Sequence, residues 1–138
     1  MIQVKLELSE QLEKKFISKL KREELLDSEY IQKLIENDLE SKIDLGEGFI
    51  YDMHLDKLFD KKRIEIEITK IEKKLLLTLI EYAEKIVPVD ILISRSWNKT
   101  NVAIYSFRNV IKKIRDKTYY KLIKNHSNLG YSINISNT

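Results

Sequence analysis

The sequence predicts an α+β chain in two parts, a strand-helix-helix segment over residues 1–45 and a βββ-ααα-ββ domain over residues 46–138. Three observations carry that expectation. The chain opens on a period-two apolar pattern, and two apolar stripes of 3.6-residue period follow it. The remainder alternates short β-rich runs with helical stretches that are announced by a capping-box motif and by a single proline.

Composition narrows the class further. With 138 residues, 43% of them hydrophobic, three glycines and one proline, the chain is too apolar to be disordered and too short for a large enzyme scaffold. It has no cysteine, which removes disulfides, thiolate nucleophiles and Cys-based zinc sites and suits a reducing, cytoplasmic setting. The densest apolar run, Leu75-Leu76-Leu77-Thr78-Leu79-Ile80, falls far short of the roughly 20 residues that span a bilayer, so no membrane segment is expected.

Ile2, Val4, Leu6 and Leu8 alternate with Gln3, Lys5 and Glu7, the pattern of a strand with one apolar face. Ser9 is a helix cap for a stripe of Leu12, Phe16, Ile17 and Leu20. After a break at Leu25–Ser28, Asp27 or Ser28 caps a second helix with Ile31, Leu34, Ile35 and Leu39 on its apolar side, fading by Lys42 or Ile43. So small a unit cannot cover its own apolar faces, and without cysteine a partner is the expected remedy. Over its whole length the segment resembles a ribbon-helix-helix module. That resemblance implies a homodimer built on an antiparallel strand ribbon whose outward side chains, here Gln3, Lys5 and Glu7, face a DNA major groove. Glu7 and the segment's balance of 8 Lys/Arg against 11 Asp/Glu oppose phosphate, so dimerisation is expected ahead of DNA reading. The other reading of the segment is a helical hairpin packed on the rest of the same chain.

Asp44–Glu47, around Gly46, marks the expected domain boundary. Strands are expected at Phe49–Asp52, His54–Phe59 and Arg63–Ile68, with a turn at Lys61-Lys62. Thr69 and Glu72 have capping-box spacing and open a helix through Leu75, Leu76, Leu79, Ile80 and Ala83. Pro88 starts a second helix, Val89–Trp97, and a third is expected from Val102 to Lys117, before strands at Leu122–Asn125 and Tyr131–Ile135.

Charge is concentrated in this part. Residues 98–125 carry eight basic residues and one acid, Asp116, a density typical of a phosphate-backbone footprint but also of a solvated helix face. On a helical wheel Phe107, Val110, Ile111 and Ile114 gather on one side. Asn101, Tyr105, Arg108, Lys112 and Arg115 form another stripe, centred about 120° away. Arg, Lys and Asn are the side chains that hydrogen-bond guanine, adenine and phosphate inside a major groove.

The runs ITKIEKKLLLTLIEYAEKIVPVDILISRSW, FRNVIKKIRDK and LIKNHSNLGYSI resemble the winged helix-turn-helix effector domain of OmpR/PhoB-type response regulators over residues 48–135. The family's Leu-Thr-x-x-Glu opening is matched by Ile68, Thr69 and Glu72, its helix-ending Trp by Trp97, its Leu-Arg-x-Lys signature by Ile114, Arg115 and Lys117, and its closing Gly-Tyr by Gly130-Tyr131. The resemblance implies that the third helix is a recognition helix. Its expected DNA contacts are Asn101, Tyr105, Arg108, Asn109, Lys112, Lys113, Arg115 and Lys117, joined by Ser127 and Asn128 in the wing. Two departures stand out: Ser127 and Asn128 replace the family's usual basic residue and glycine, and Asp116 interrupts a basic signature. Asn128 can still take positive φ. Residues 1–45 bear no acidic phosphoacceptor pocket, so an effector domain without a receiver is expected, and control by a histidine kinase does not follow.

Other candidates lead to ordinary readings. His54 and His126 are far apart without metal-ligand spacing, so no metal and no cofactor are expected. Tyr119, Tyr120, Tyr131 and Trp97 read as packing residues rather than base-stacking platforms. No phosphate loop, nucleophile elbow or glycine-framed carboxylate pair is found, so an enzyme is not expected. The expectation is a homodimeric, sequence-specific regulator that binds double-stranded DNA. Its rival is a protein-interaction adaptor or antitoxin-like module in which the winged helix holds a protein partner.

Overall fold

In the computed structural model, which describes residues 1–135, the N-terminal unit is a helical hairpin preceded by nine residues without regular structure. Ser9 caps α1 (Glu10–Glu23) as expected, its Oγ accepting from the Leu12 N–H at 3.3 Å. The helix ends at Glu24, a left-handed residue whose N–H donates to the Leu20 carbonyl. Helix α2 (Asp27–Ser41) follows, and the Phe16 and Tyr30 rings meet between the two at 5.5 Å. The strand expected at Ile2–Leu8 is not formed. A strand exists through its ladder, and among the described residues nothing in this unit offers those residues an edge to pair with.

The second unit begins at Ser41, five residues before the expected boundary at 45/46. The segment around Gly46, expected as the domain boundary, is instead β1 (Lys42–Gly46), paired antiparallel with β2 (Phe49–Asp52). Glu47 and Gly48 both have positive φ, which is what a two-residue hairpin turn of primed type requires. Chain order then adds β3 (Lys57–Phe59) and β4 (Glu65–Ile66), giving an antiparallel sheet in the order β1-β2-β3-β4. Both later strands are shorter than their apolar patterns suggested, because aspartates hold turns at their starts. Asp52 accepts from the His54 and Leu55 N–H groups, and Asp60 from those of Lys62 and Ile64.

Helix α3 (Lys70–Glu81) carries the capping box in both directions: Thr69 Oγ1 accepts from the Glu72 N–H and Glu72 Oε2 from the Thr69 N–H. Helix α4 (Val89–Trp97) has the expected bounds, with Pro88 at its cap. Helix α5 (Ile104–Lys117) starts two residues later than expected, after Ala103. A short 3-10 turn, Tyr120–Leu122, leads into β5 (Ile123–His126), which forms a separate two-stranded hairpin with β6 (Gly130–Ile133).

The core lies where these elements converge. Leu75, Leu76 and Leu79 of α3, Leu92 and Ile93 of α4, and Phe107, Ile111 and Ile114 of α5 are all buried, with Leu45, Tyr51 and Leu58 from the larger sheet. Each such side chain contributes about 1.5–3 kcal/mol by leaving water. Phe107 is central: it meets the Trp97 ring at 6.4 Å and the edge of Tyr131 at 5.3 Å.

Two tyrosines tie the sheet to the rest. The Tyr119 hydroxyl donates to the Leu45 carbonyl while its ring stacks on Phe49 at 5.9 Å. Burial, with the Glu47 and Asp44 carboxylates nearby, pushes the Tyr119 hydroxyl above its ordinary pKa. Tyr51 donates to Asp56, and burial followed by that carboxylate raises its pKa strongly. Asp56 is held below the ordinary carboxylate range by the Tyr51 hydrogen bond and by Lys73, whose ammonium sits at 3.1 Å. Among the described residues no helix is long and apolar enough to cross a membrane.

Candidate nucleic-acid interface

Helix α5 divides as its wheel requires. Phe107, Ile111 and Ile114 are buried against α3 and the hairpin, whereas Tyr105, Arg108, Asn109, Lys112 and Lys113 are exposed. Tyr105 is the most open of the aromatic residues on this face, at 79% exposure.

Three expected members of that face are placed differently. Asn101 lies in the α4–α5 loop, outside the helix, because α5 does not begin until Ile104. Arg115 turns off the stripe: its guanidinium donates to the Ile123 carbonyl and lies over the Tyr120 ring at 4.4 Å. Its Nε is buried without an acceptor among the described residues. Lys117 reaches back to α3, where its ammonium sits 2.7 Å from Glu72 Oε2, on a carboxylate that is 1% exposed. A buried carboxylate needs a counter-charge more than a solvated helix end needs a cation, which is why Lys117 points inward.

The wing is the β5–β6 hairpin, and Ser127, Asn128 and Leu129 form its exposed tip. Asn128 adopts φ of 63° as expected, and the Leu129 N–H closes the turn on the His126 carbonyl at 2.9 Å. Gly130 is fixed by close packing: at φ of 139° a Cβ there would stand 2.1 Å from the Val87 carbonyl oxygen. Val87 and Tyr131 exchange hydrogen bonds of 2.7 and 3.0 Å, pinning the wing to the segment before α4. His126 Nε2 lies 2.7 Å from Ser132 Oγ, the ordinary hydrogen-bonded role expected for it.

Helix and wing meet. Arg108, Ile104, Asp90 and the wing tip line one open groove of about 490 Å³. Thus Arg108 shares one concave surface with Ser127 and Asn128, 19 and 20 positions later in the sequence, flanked by the exposed face of α5. Lys121 and Lys124, on the turn into β5 and on β5 itself, are exposed and line a separate groove with Arg115 and Tyr120. Their place in the basic run was visible in the sequence, but their separation from the Arg108 groove depends on the hairpin register. Leu129, 63% exposed, puts an apolar side chain at the rim.

No family model and no curated protein matches the chain. Solved structures do match its fold. The DNA-binding domain of Klebsiella pneumoniae RstA, crystallised in complex with the RstA box, is 20% identical with a TM-score of 0.56, over 67% of this chain and 95% of that one. The DNA-binding domain of Bacillus subtilis CssR is 15% identical with a TM-score of 0.55, over 62% and 98%. Thermotoga maritima DrrB, an OmpR/PhoB homolog, is 26% identical with a TM-score of 0.58, over 78% of this chain and 52% of that one. The second unit thus has the winged-helix fold of OmpR/PhoB-type DNA-binding domains.

Proposed function

We propose that the chain is a sequence-specific, double-stranded-DNA-binding transcriptional regulator that acts as a homodimer. Helix α5 enters the major groove, and the wing lies along the neighbouring backbone or minor groove. One observation carries the reading: Arg108, Asn109, Lys112 and Lys113 stand exposed on a helix whose opposite face is locked in the core, and Arg108 shares its groove with the wing. Arginine and asparagine at such positions make bidentate bonds to guanine and adenine edges, and the lysines neutralise phosphates. The RstA domain, which has the same fold and is crystallised in complex with the RstA box, supports DNA binding as the role of this fold here.

Selection of bound fragments from random or genomic duplexes tests this reading, since it reports binding, site symmetry and half-site spacing together. An enriched two-fold site supports it. Arg108→Ala should relax base preference at one position per half-site, whereas Lys112→Ala should weaken all sequences alike. The second reading, a protein-interaction adaptor, draws on the exposed Ile104, Tyr105 and Leu129 beside the same groove. It predicts no enrichment in the selection and equal, poor binding to every duplex at physiological salt.

A further inference from the structure

Arg115 is held firmly and yet incompletely used. Its guanidinium donates to the Ile123 carbonyl and lies over the Tyr120 ring, while its Nε is buried without an acceptor among the described residues. A buried donor without a partner costs stability, and an acceptor brought in by a ligand recovers it. Tyr120 stands out for the opposite reason. The sequence read it as a packing residue, but its side chain is 72% exposed, and no aromatic ring stacks on it among the described residues.

Arg115 and Tyr120 line one open groove of about 770 Å³, within the size range of small-molecule sites. Lys121 and Lys124 line it as well, so three cations face a single carboxylate there, that of Glu84. Neither lysine is in an ion pair among the described residues. The groove is separate from the one that holds Arg108, and only Asn125 lines both.

We propose that this groove binds a nucleoside phosphate, at a site distinct from the α5 face assigned to DNA. The phosphates lie among Arg115, Lys121 and Lys124, and the base stacks on the open side of the Tyr120 ring. A guanidinium takes two phosphate oxygens at once through parallel N–H groups, and the two ammonium groups act as mobile point charges on the rest of the phosphate chain. The guanidinium over one side of the Tyr120 ring helps to hold it in place, which leaves the other side as a platform for a base. Asn125 and Asn134, both exposed on the groove wall, offer amides to a ribose. The exposed ring is what selects a nucleotide over a bare anion, which would use the three cations and leave Tyr120 idle.

Isothermal titration calorimetry of the full chain, at low salt and without DNA, tests the site. ADP and GDP are the probes, and adenosine and inorganic pyrophosphate are their halves. At least one nucleotide should saturate one site per chain with a dissociation constant below about 1 mM, with each half about tenfold weaker or more. The double variant Lys121→Ala with Lys124→Ala should weaken nucleotide and pyrophosphate alike, by about tenfold. Tyr120→Leu should weaken the nucleotide by about tenfold and leave pyrophosphate unchanged, whereas Tyr120→Phe should retain the original affinity. All three positions are exposed, and circular dichroism checks that the helices persist. Absence of saturable binding of both nucleotides up to about 5 mM, or pyrophosphate bound as tightly as the nucleotide, overturns the site. Duplex affinity and its salt dependence should be unchanged in the double lysine variant. A loss of affinity with a shallower salt slope assigns these cations to the DNA backbone and overturns the nucleotide site, while leaving the DNA-binding reading in place.

Discussion

Glu72 shows how much one residue can do and how little of that a motif reveals. Its spacing from Thr69 was legible as a capping box, which holds in both directions. The ion pair with Lys117, 45 positions away, was not, because helix-wheel reasoning assigns a face without knowing what lies opposite it. Glu72→Ala should cost the cap's share of about 1 kcal/mol, and Lys117 then turns to water. Lys117→Ala should cost more, about 2 kcal/mol, because it strands a buried carboxylate. Urea denaturation measures both, and duplex affinity of the folded protein should not change.

Tyrosine titration belongs to the same scale. The pKa values of Tyr51 and Tyr119 are raised above the ordinary value of 10.0 in the folded state. The folded protein therefore holds protons that the unfolded chain has lost, and stability, full below about pH 10, should fall as pH rises above it. Tyr119→Phe should flatten part of that alkaline decline in thermal melts. Asp56 works at the other end: its lowered pKa means a contribution present above its ordinary 3.8 and lost as pH falls below it.

At the level of elements, α4 was legible to its termini because Pro88 and Trp97 bracket it, and α3 because of its cap. The expected Val102 start of α5 failed, which moved Asn101 into a loop; nothing before Ile104 supplies a capping side chain to mark the true start. Strand β1 was missed because Asp44–Glu47, around Gly46, read as the domain boundary, although glycine flanking one residue between apolar alternations is also what a tight turn needs. The wing is rigid at its base, so Gly130→Ala, which meets the Val87 carbonyl oxygen, should destabilise the domain by about 2 kcal/mol or more and loosen the wing. Thermal melts and hydrogen exchange at Tyr131 read out both effects. Arg115→Lys should lower stability through loss of the Tyr120 stacking and the Ile123 hydrogen bond without changing the salt dependence of DNA binding.

Across the whole molecule, the division into two parts was visible in the change from amphipathic helices to mixed β and basic patterns. Where the division falls was not visible, since it depends on β1 finding β2. The proposed homodimer predicts that unfolding of the first unit shifts upward with protein concentration while that of the second unit stays fixed. Scanning calorimetry across a hundredfold concentration range distinguishes the two transitions.

The salt dependence of binding to a selected duplex probes the cationic face of α5 most directly. With about four phosphates neutralised per protomer, log K should fall with log salt at a slope of about −7 for the dimer, and Lys112→Ala should make that slope shallower by about 2. A slope near zero, or one that Lys112→Ala leaves untouched, would contradict the assignment of this face to DNA.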